Sequence, residues 1–319
     1  MLNRCLLLAL CLGISMPWAS AQQYPTKPVR LIVPLSAGGS LDSVARIVAT
    51  RLSESLGQPV VVDNRGGGGG SIGAEITARA APDGYTIMMA SSSYMILTLM
   101  YKAPYDPVRD FTPITQAASV PLLFVINPAL AANNLGEFVA LARARPGTLN
   151  YGSSGNGSFI HLTGELFKSM TGTRIVGIYY KGAARAATAV ASGETQMMFS
   201  SVASIMPHIK SGRVKALAVT SARPSALAAG LPTLAASGLP GFELVRTDAV
   251  YVPAITPVAI VNRLIAEIVR FLSTKDAQEK FLTLEADVIA NSPQEHLDSL
   301  NSRITILGKL IKDAGIKID

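Results

Sequence analysis

The sequence has 319 residues, of which 49% are hydrophobic and 15% are charged, and its formal net charge is +7. A chain of this length can bury a large core, as one large domain or as two lobes. The lysines and arginines are scattered and do not form the basic stripe with interleaved aromatics typical of nucleic-acid binding, so no nucleic-acid partner is expected. A scattered positive excess keeps a protein soluble and attracts an anionic ligand modestly.

Residues 1–21 have the pattern of a secretory signal peptide. Arg4 supplies a basic start, Leu6–Ile14 an apolar stretch, and Ala19-Ser20-Ala21 the small-x-small pattern that precedes cleavage. Cleavage there would make Gln22 the first mature residue and place the protein in the periplasm. Both cysteines of the chain lie within this segment, so the mature chain is expected to be stable by core burial without a disulfide.

The following residues predict an alternation of strands and helices. Val29–Leu35 is predicted as a strand, followed by the small-residue loop Ser36–Ser40. Apolar residues between Leu41 and Leu56 recur at the i, i+3, i+4 and i+7 spacing of a half-buried helix. Ser40 is the expected N-cap of this helix, and Gly57 is the expected C-cap.

A second unit completes a βαβαβ pattern. Val60–Val62 and Thr86–Ala90 are predicted as strands, and Ile72–Ala81 between them is predicted as a helix after the loop Gly66–Gly70. This order predicts a parallel sheet with right-handed crossovers.

The same order recurs from residue 149 onward. The strand Leu149–Tyr151 runs into the loop Gly152–Ser158, and an amphipathic helix follows from Phe159. The later elements expected here are a strand at Arg174–Tyr180, a helix at Ala183–Ser192, a strand at Gln196–Phe199, a helix around Ile205–Ile209 and a strand at Val214–Val219. Two blocks that each begin with a strand, a Gly/Ser loop and a helix predict two lobes.

Two extended segments, Phe111–Asn127 and Phe242–Pro253, are expected to cross between the lobes. The tail is predicted to be helical at Val258–Leu272, Ala277–Leu284 and Pro293–Lys312 and to pack on the first lobe. The predicted fold class is α/β, with two lobes that each contain a mainly parallel sheet flanked by helices. The expected boundaries are 22–121 plus 246–319 for lobe 1 and 122–245 for lobe 2.

Glycine- and serine-rich loops precede several of the predicted helices. A helix N-terminus exposes unpaired N–H groups and a partial positive charge, glycine lets a ligand approach closely, and serine adds hydroxyl donors. Such loops occur at Ser36–Ser40, Gly152–Ser158 and Ser200–Ser201, and Tyr180-Lys181-Gly182 adds a cation. Ligands bind beyond the carboxyl ends of parallel strands, so two such edges facing each other would form an anion-binding cleft. Each loop taken singly is equally compatible with a tight connection.

Patterns for catalysis, metals and cofactors are weak. The mature chain has no HExxH and no CxxC, and Gly152-Ser153-Ser154-Gly155 is not a GxSxG nucleophile elbow. Gly68-x-Gly70-x-x-Gly73 matches a dinucleotide fingerprint, but the next strand ends without the acidic residue that binds the ribose. His161 lies in the first turn of a helix, where a surface or capping role is favoured over a place in the cleft. No enzymatic activity, metal or cofactor is expected, and an exported hydrolase is a distant third reading.

The ordered motifs of the mature chain resemble the Bug family, the periplasmic receptors of tripartite tricarboxylate transporters. These motifs are Tyr24-Pro25-Thr26-Lys27-Pro28-Val29-Arg30, Gly38-Gly39-Ser40-Leu41-Asp42, Leu56–Arg65, Ala81-Pro82-Asp83-Gly84-Tyr85, Tyr105-Asp106-Pro107, Arg145-Pro146-Gly147, Gly155-Asn156-Gly157-Ser158, Tyr180-Lys181-Gly182, Pro207-His208-Ile209-Lys210, Leu217-Ala218-Val219-Thr220 and Gly315-Ile316. The resemblance implies a Venus-flytrap, type II-like periplasmic binding protein that captures a small carboxylate and delivers it to membrane permease subunits. A monomer is expected. The alternative is a receptor that presents its ligand to a membrane sensor kinase.

The resemblance also implies which residues hold the carboxylate, partly through backbone groups and water. In the first loop they are Ser36, Ala37, Gly38, Gly39, Ser40 and Asp42. In the second loop they are Ser153, Ser154, Gly155, Asn156, Gly157 and Ser158. Ser92, Tyr94, Ser200 and Ser201 are expected to form walls that select the rest of the ligand, and Lys181 is a further candidate contact.

Two aspartates leave alternatives open. Asp42 in the first helical turn either complements the helix dipole or meets an ammonium or hydroxyl group of the ligand, and the structural role is slightly favoured. The return crossing Val245–Val250 lacks the aromatic residues usual in the family and carries Thr247 and Asp248 instead. If it faces the cleft, we expect a more polar pocket and a ligand with a polar distal end, such as a hydroxy or amino acid.

Overall fold

The computed structural model describes residues 24–316, and the predicted signal peptide lies outside them. The strands of the described residues are β1 (Val29–Val33), β2 (Val60–Asn64), β3 (Thr86–Ser91), β4 (Phe111–Val120), β5 (Leu123–Ile126), β6 (Asn150–Ser153), β7 (Val176–Tyr179), β8 (Met197–Ser200), β9 (Lys215–Val219), β10 (Arg246–Pro253) and β11 (Asp287–Val288). The α-helices are α1 (Ser40–Leu56), α2 (Ser71–Ala78), α3 (Ser93–Met100), α4 (Leu135–Ala144), α5 (Phe159–Thr171), α6 (Ala183–Ser192), α7 (Val202–Lys210), α8 (Val258–Leu272), α9 (Lys275–Thr283) and α10 (Pro293–Asp313).

The strands form two mixed sheets. The first sheet has the order β11-β4-β10-β3-β1-β2, and the second has the order β7-β6-β8-β5-β9. β1 is parallel to β2 and β3, whereas β10 is antiparallel to both of its neighbours, β3 and β4. In the second sheet β6 is parallel to β7 and β8, and β5 is antiparallel to β8 and β9. Most strands of each sheet therefore run one way, and the strand that enters from the other sheet runs against its neighbours.

Helices cover both faces of the first sheet, which explains its apolar strands. In β1, Leu31 and Val33 pack into the core that contains α1 and α8, whereas Ile32 packs into the core on the opposite face. Strands buried on both faces read as continuous apolar runs because they have no solvent-facing side. No helix in residues 24–316 is both long and apolar enough to cross a membrane.

Several predicted elements match the structure, and two helices were missed. α6 and α8 have the predicted bounds, and Gly57 closes α1 in the left-handed conformation. The N-cap of α1 is Gly39 instead of Ser40, because Gly39 is the last extended residue and Ser40 already lies in the first turn. α3 and α4 were not predicted, although Asn134 caps α4 by accepting a hydrogen bond from the Glu137 N–H.

The chain crosses between the two sheets at two adjacent points. Only residues 121 and 122 separate β4 from β5, and Arg246 at the start of β10 pairs with Val120 at the end of β4. The two crossings therefore lie side by side, which is the arrangement expected of two hinge strands. The division into lobes at 121/122 and 245/246 stays a prediction.

Candidate ligand-binding cleft

A cavity of about 620 Å³ is lined by residues from both sheets. On the side of the first sheet it is lined by Gly68, Gly69 and Ser71, by Ser91–Ser93 and by α3. On the side of the second sheet it is lined by Gly157–Phe159. Two other cavities in the described part of the chain have similar volumes, about 670 and 700 Å³, but the predicted loops do not line them. The shared cavity is therefore the candidate site.

The turn from β3 into α3 forms one wall of this cavity. The Ser92 N–H donates to the Thr247 carbonyl at 2.8 Å, which fixes the turn to β10. The hydroxyls of Ser91 and Ser93 lie 2.7 Å apart. The buried Ser92 Oγ has no hydrogen-bond partner among the described residues. A buried hydroxyl without a partner is costly, so this atom is available to a ligand or to water.

Asp42 holds the first loop, Ser36–Ser40, in place. Its carboxylate accepts hydrogen bonds from the Gly38 N–H (2.9 Å), from Arg46 Nε (3.0 Å) and from Asn64 Nδ2 (3.0 Å). Burial alone would raise the pKa of Asp42, but the hydrogen bonds from Arg46, Gly38 and Asn64 outweigh it and lower the pKa. This geometry favours the structural role of Asp42, and a ligand contact stays a prediction.

The first loop is exposed and lies beside the cavity without lining it. Ser36, Ala37, Gly38, Gly39 and Ser40 are all solvent-exposed. Ser40 connects the loop to the cavity, because its Oγ accepts a hydrogen bond from Arg246 Nη2 at 2.5 Å.

The second loop reaches the cavity through Gly157 and Ser158. Ser158 caps α5, because its Oγ accepts a hydrogen bond from the His161 N–H at 3.2 Å. Ser153 is fully buried behind the loop, and its Oγ lies 3.2 Å from Ser158 Oγ. Ser154, Gly155 and Asn156 form the tip, which the structure leaves partly or fully exposed.

His161 is buried behind this loop and lies neither on the surface nor in the cavity. Its Nδ1 accepts a hydrogen bond from the Gly157 N–H at 2.8 Å, and its Nε2 lies 3.1 Å from the Tyr179 hydroxyl. An accepting Nδ1 requires the neutral ring with its proton on Nε2. Burial lowers the pKa of His161 and favours this neutral form.

Lys181 stands next to the second loop. The Tyr180 N–H donates to the Ser153 carbonyl at 2.9 Å, and the Gly182 N–H donates to the Ser154 carbonyl at 3.2 Å. Lys181 itself is exposed between them and does not line the cavity.

The structure does not bring Tyr94, Ser200 or Ser201 to the cavity. Tyr94 is 1% exposed, its hydroxyl donates to the Pro107 carbonyl, and its ring packs among aromatic rings of the core. Ser200 is fully buried, and Ser201 donates to Ser204 Oγ. The expected anion site before α7 is taken by the protein's own Glu285, which accepts a hydrogen bond from the Ala203 N–H at 2.7 Å.

Arg246 lines the cavity, and sequence reasoning missed it as a site residue. Its Nη2 donates to Ser40 Oγ and, at 3.1 Å, to Asp248 Oδ2. Asp248 lies beneath it, fully buried; burial raises the pKa of Asp248, and the Arg246 guanidinium opposes this rise. Thr247 has the opposite orientation and is 3.3 Å from Arg303 Nη1. Successive side chains of a strand point to opposite faces, so Arg246 and Asp248 share one face of β10 and Thr247 lies on the other. This alternation could have identified Arg246 as a site residue from the sequence.

The glycine motif at residues 68–73 has a packing explanation. Gly68–Gly70 form a tight 3₁₀ turn in which Gly69 has φ +65°. A Cβ on Gly73 would lie 2.7 Å from Pro34 Cα, so glycine is required where α2 crosses the end of β1. Within residues 24–316, no cluster of three or more His, Cys, Asp or Glu residues could hold a metal ion.

Comparison with known proteins identifies the family. The tripartite tricarboxylate transporter family receptor (TctC) matches residues 44–316. Protein BugT of Bordetella pertussis is 36% identical over 309 residues, which cover 96% of this chain and 94% of that protein. The solved structure of R. palustris Rpa4515 with adipate is 36% identical, with a TM-score of 0.71, and covers 92% of this chain and 99% of that chain. A ligand-free TctC solute-binding protein from Polaromonas is 25% identical, with a TM-score of 0.84, and the match covers 91% of this chain and 99% of that chain.

These matches extend over nearly the whole chain. They confirm the predicted two-lobed α/β periplasmic-binding-protein fold and the resemblance to the Bug receptors. The matched family consists of transport receptors, and the expectation that the chain is not an enzyme is confirmed with it. The chain belongs to the TctC (Bug) family of solute-binding receptors of tripartite tricarboxylate transporters.

Proposed function

We propose that this protein captures a small carboxylate between two lobes in the periplasm and delivers it to the permease subunits of a tripartite tricarboxylate-type transporter. The observation that carries the proposal is the cavity in which Ser91–Ser93 of the first sheet meet Gly157 and Ser158 of the second. Rpa4515, a 36% identical relative, was solved with adipate, which supports a carboxylate ligand.

Two helix N-termini supply the electrostatic basis for anion binding. α3 begins at Ser93 and α5 begins at Phe159, and both residues line the cavity. Each N-terminus carries a partial positive charge and unpaired N–H groups. Hydrogen bonds to a charged group contribute about 1.5–3 kcal/mol each. A few of them, less the cost of association, are enough for micromolar affinity, about −8 kcal/mol.

The test is a thermal-shift screen over mono-, di- and tricarboxylates, followed by calorimetry on the hits and recovery of the ligand. Binding of a carboxylate that is recovered unchanged is the expected result. Failure of every carboxylate to bind would contradict the proposal. Loss of uptake in a strain that lacks the gene, with the transcriptional response to the ligand intact, would separate transport from presentation to a sensor kinase.

The proposal includes closure of lobe 1 (22–121 plus 246–319) on lobe 2 (122–245) about the crossings into β5 and β10. Small-angle scattering should show a smaller radius of gyration with ligand. An unchanged radius would argue against closure.

Export is the remaining part of the proposal. N-terminal sequencing of protein from the periplasmic fraction should begin at Gln22, and light scattering should give the mass of a monomer. A mature chain that begins at Met1 would contradict cleavage of the proposed signal peptide.

A further inference from the structure

The cavity runs along α3 and has a cationic side chain near each end of that helix. Arg246 stands at the N-terminal end, because the Ser92 N–H is bonded to the carbonyl of the next residue, Thr247. Lys102 follows the C-terminal end of α3, which is Met100, and also lines the cavity. α3 has eight residues, Ser93–Met100, which corresponds to about 12 Å along the helix axis.

The wall between the two cations is apolar. Ile96, Leu97 and Met100 of α3 line it, and Phe159 lines the cavity from the side of the second sheet. A hydroxyl or ammonium group placed against this wall would lose its water without gaining a hydrogen bond, which is unfavourable. A hydrocarbon segment would gain by burial there.

Arg246 is prepared to bind an anion. Its Nη2 is held by Ser40 and Asp248, and its buried Nε has no hydrogen-bond partner within residues 24–316. Ser92 Oγ, buried at the same end of α3, also lacks a partner in the described part of the chain. A guanidinium held in a fixed orientation loses less side-chain freedom when it binds a carboxylate.

We propose that Arg246 and Lys102 bind the two carboxylates of an unbranched dicarboxylate, whose hydrocarbon chain lies against Ile96, Leu97 and Met100. The inference rests on the proposed function and adds the ligand class and the two residues that select it. The sequence predicted a ligand with a polar distal end, and the proposal assigns that end to a second carboxylate. It excludes ligands with a hydroxyl or amine in the middle of the chain.

The experiment is calorimetry on the mature protein with adipate and with its monoamide, in which one carboxylate is replaced by a neutral amide. Arg246 is the more ordered cation, so the monoamide should place its remaining carboxylate there and its amide at Lys102. Arg246→Gln should weaken both ligands by roughly 10- to 100-fold. Lys102→Gln should weaken adipate by about threefold to fivefold and leave the monoamide unchanged, since an exposed ion pair contributes little.

Chain length and substitution test the ligand class. Adipate should bind at least about tenfold more tightly than succinate or malate, because its two additional CH₂ groups are buried against the apolar wall and malate adds a hydroxyl there. Tighter binding of malate or succinate would overturn the assignment of the ligand class.

Control variants separate binding from folding and from net charge. Arg246→Gln leaves the buried Asp248 without its partner and could therefore destabilise the fold. The double variant Arg246→Gln with Asp248→Asn removes both charges and provides a second test of binding. Circular dichroism checks that this variant retains its fold. Arg246→Lys should recover part of the affinity because it keeps the charge but loses the planar fork. Arg79→Gln removes an equal charge from a side chain that is 73% exposed and should change neither ligand.

The outcomes distinguish the two levels of the proposal. If the unmodified protein binds no carboxylate, the proposed function fails. If it binds carboxylates but Arg246→Gln retains full affinity, or Lys102→Gln weakens adipate and the monoamide equally, only the assignment of the two cations fails.

Discussion

The two Gly/Ser loops that precede α1 and α5 are alike in composition but differ in their supports. The first loop, Ser36–Ser40, is tied by a buried carboxylate, Asp42, which accepts three hydrogen bonds. The second loop is tied by a buried neutral imidazole, His161, which accepts one hydrogen bond from the Gly157 N–H. Only the second loop lines the cavity. Loop composition therefore identifies candidate anion sites, whereas the buried residue behind each loop decides how firmly it is held.

The largest expected effect comes from removing the charged support of the first loop. Asp42→Ala removes the buried carboxylate that accepts hydrogen bonds from Gly38, Arg46 and Asn64 and should lower the free energy of unfolding by about 3 kcal/mol. Urea denaturation followed by circular dichroism measures it. Asp313→Asn, which alters a solvent-exposed pair with Lys309, is the matched control and should change stability by less than about 0.5 kcal/mol. An equal effect of the two variants would show that Asp42 does not support the loop.

The second comparison concerns pH, since the second loop depends on a neutral histidine. Burial lowers the pKa of His161, and it lowers the pKa of His296, which packs on Tyr251, to about 4. A folded pKa below the ordinary value of 6.5 means that the unfolded chain binds more protons, so stability is present above pH 6.5 and is lost as pH falls toward 4. For His296 the loss between pH 7 and pH 5 should be about 2 kcal/mol.

Denaturation at pH 7 and at pH 5 measures this loss. His296→Phe should flatten the dependence, and His161→Gln should flatten it further. In contrast, Asp42 has a lowered pKa and stays ionised throughout this range, so the first loop should be unaffected. A pH dependence that is identical in both histidine variants and in the unmodified protein would contradict this difference between the loops.

The smallest effect compares one serine from each loop. Ser158 caps α5 through its side chain, whereas Ser40 has no capping role because Gly39 is the N-cap of α1. Ser158→Ala should cost about 1 kcal/mol and Ser40→Ala less than about 0.5 kcal/mol. Chemical denaturation at pH 7 checks both values. A greater loss for Ser40→Ala would mean that its hydrogen bond to Arg246 stabilises the fold more than the cap does.

Local patterns in the sequence determined most of the secondary structure and the family. α6 and α8 were predicted with their observed bounds, because each has one apolar face and a local boundary residue, Gly193 after α6 and Pro257 before α8. The Gly/Ser loops were also found from the sequence, since each directly precedes a helix. α3 was missed because its apolar residues have no polar face to mark a helical period.

Only the tertiary structure decided which of these residues meet. Arg246 reaches Ser40 across 206 positions of sequence, and Glu285 reaches Ala203 across 82. Tyr94, predicted as a wall of the site, is instead enclosed by Tyr105, Phe111 and Tyr251 in the core. Such contacts depend on which faces of distant elements pack together, and the spacing of residues along the chain does not contain that information. The sequence therefore determined the kind of protein and the position of its Gly/Ser loops, and the packing of β10 against β3 decided that Arg246 lines the cavity.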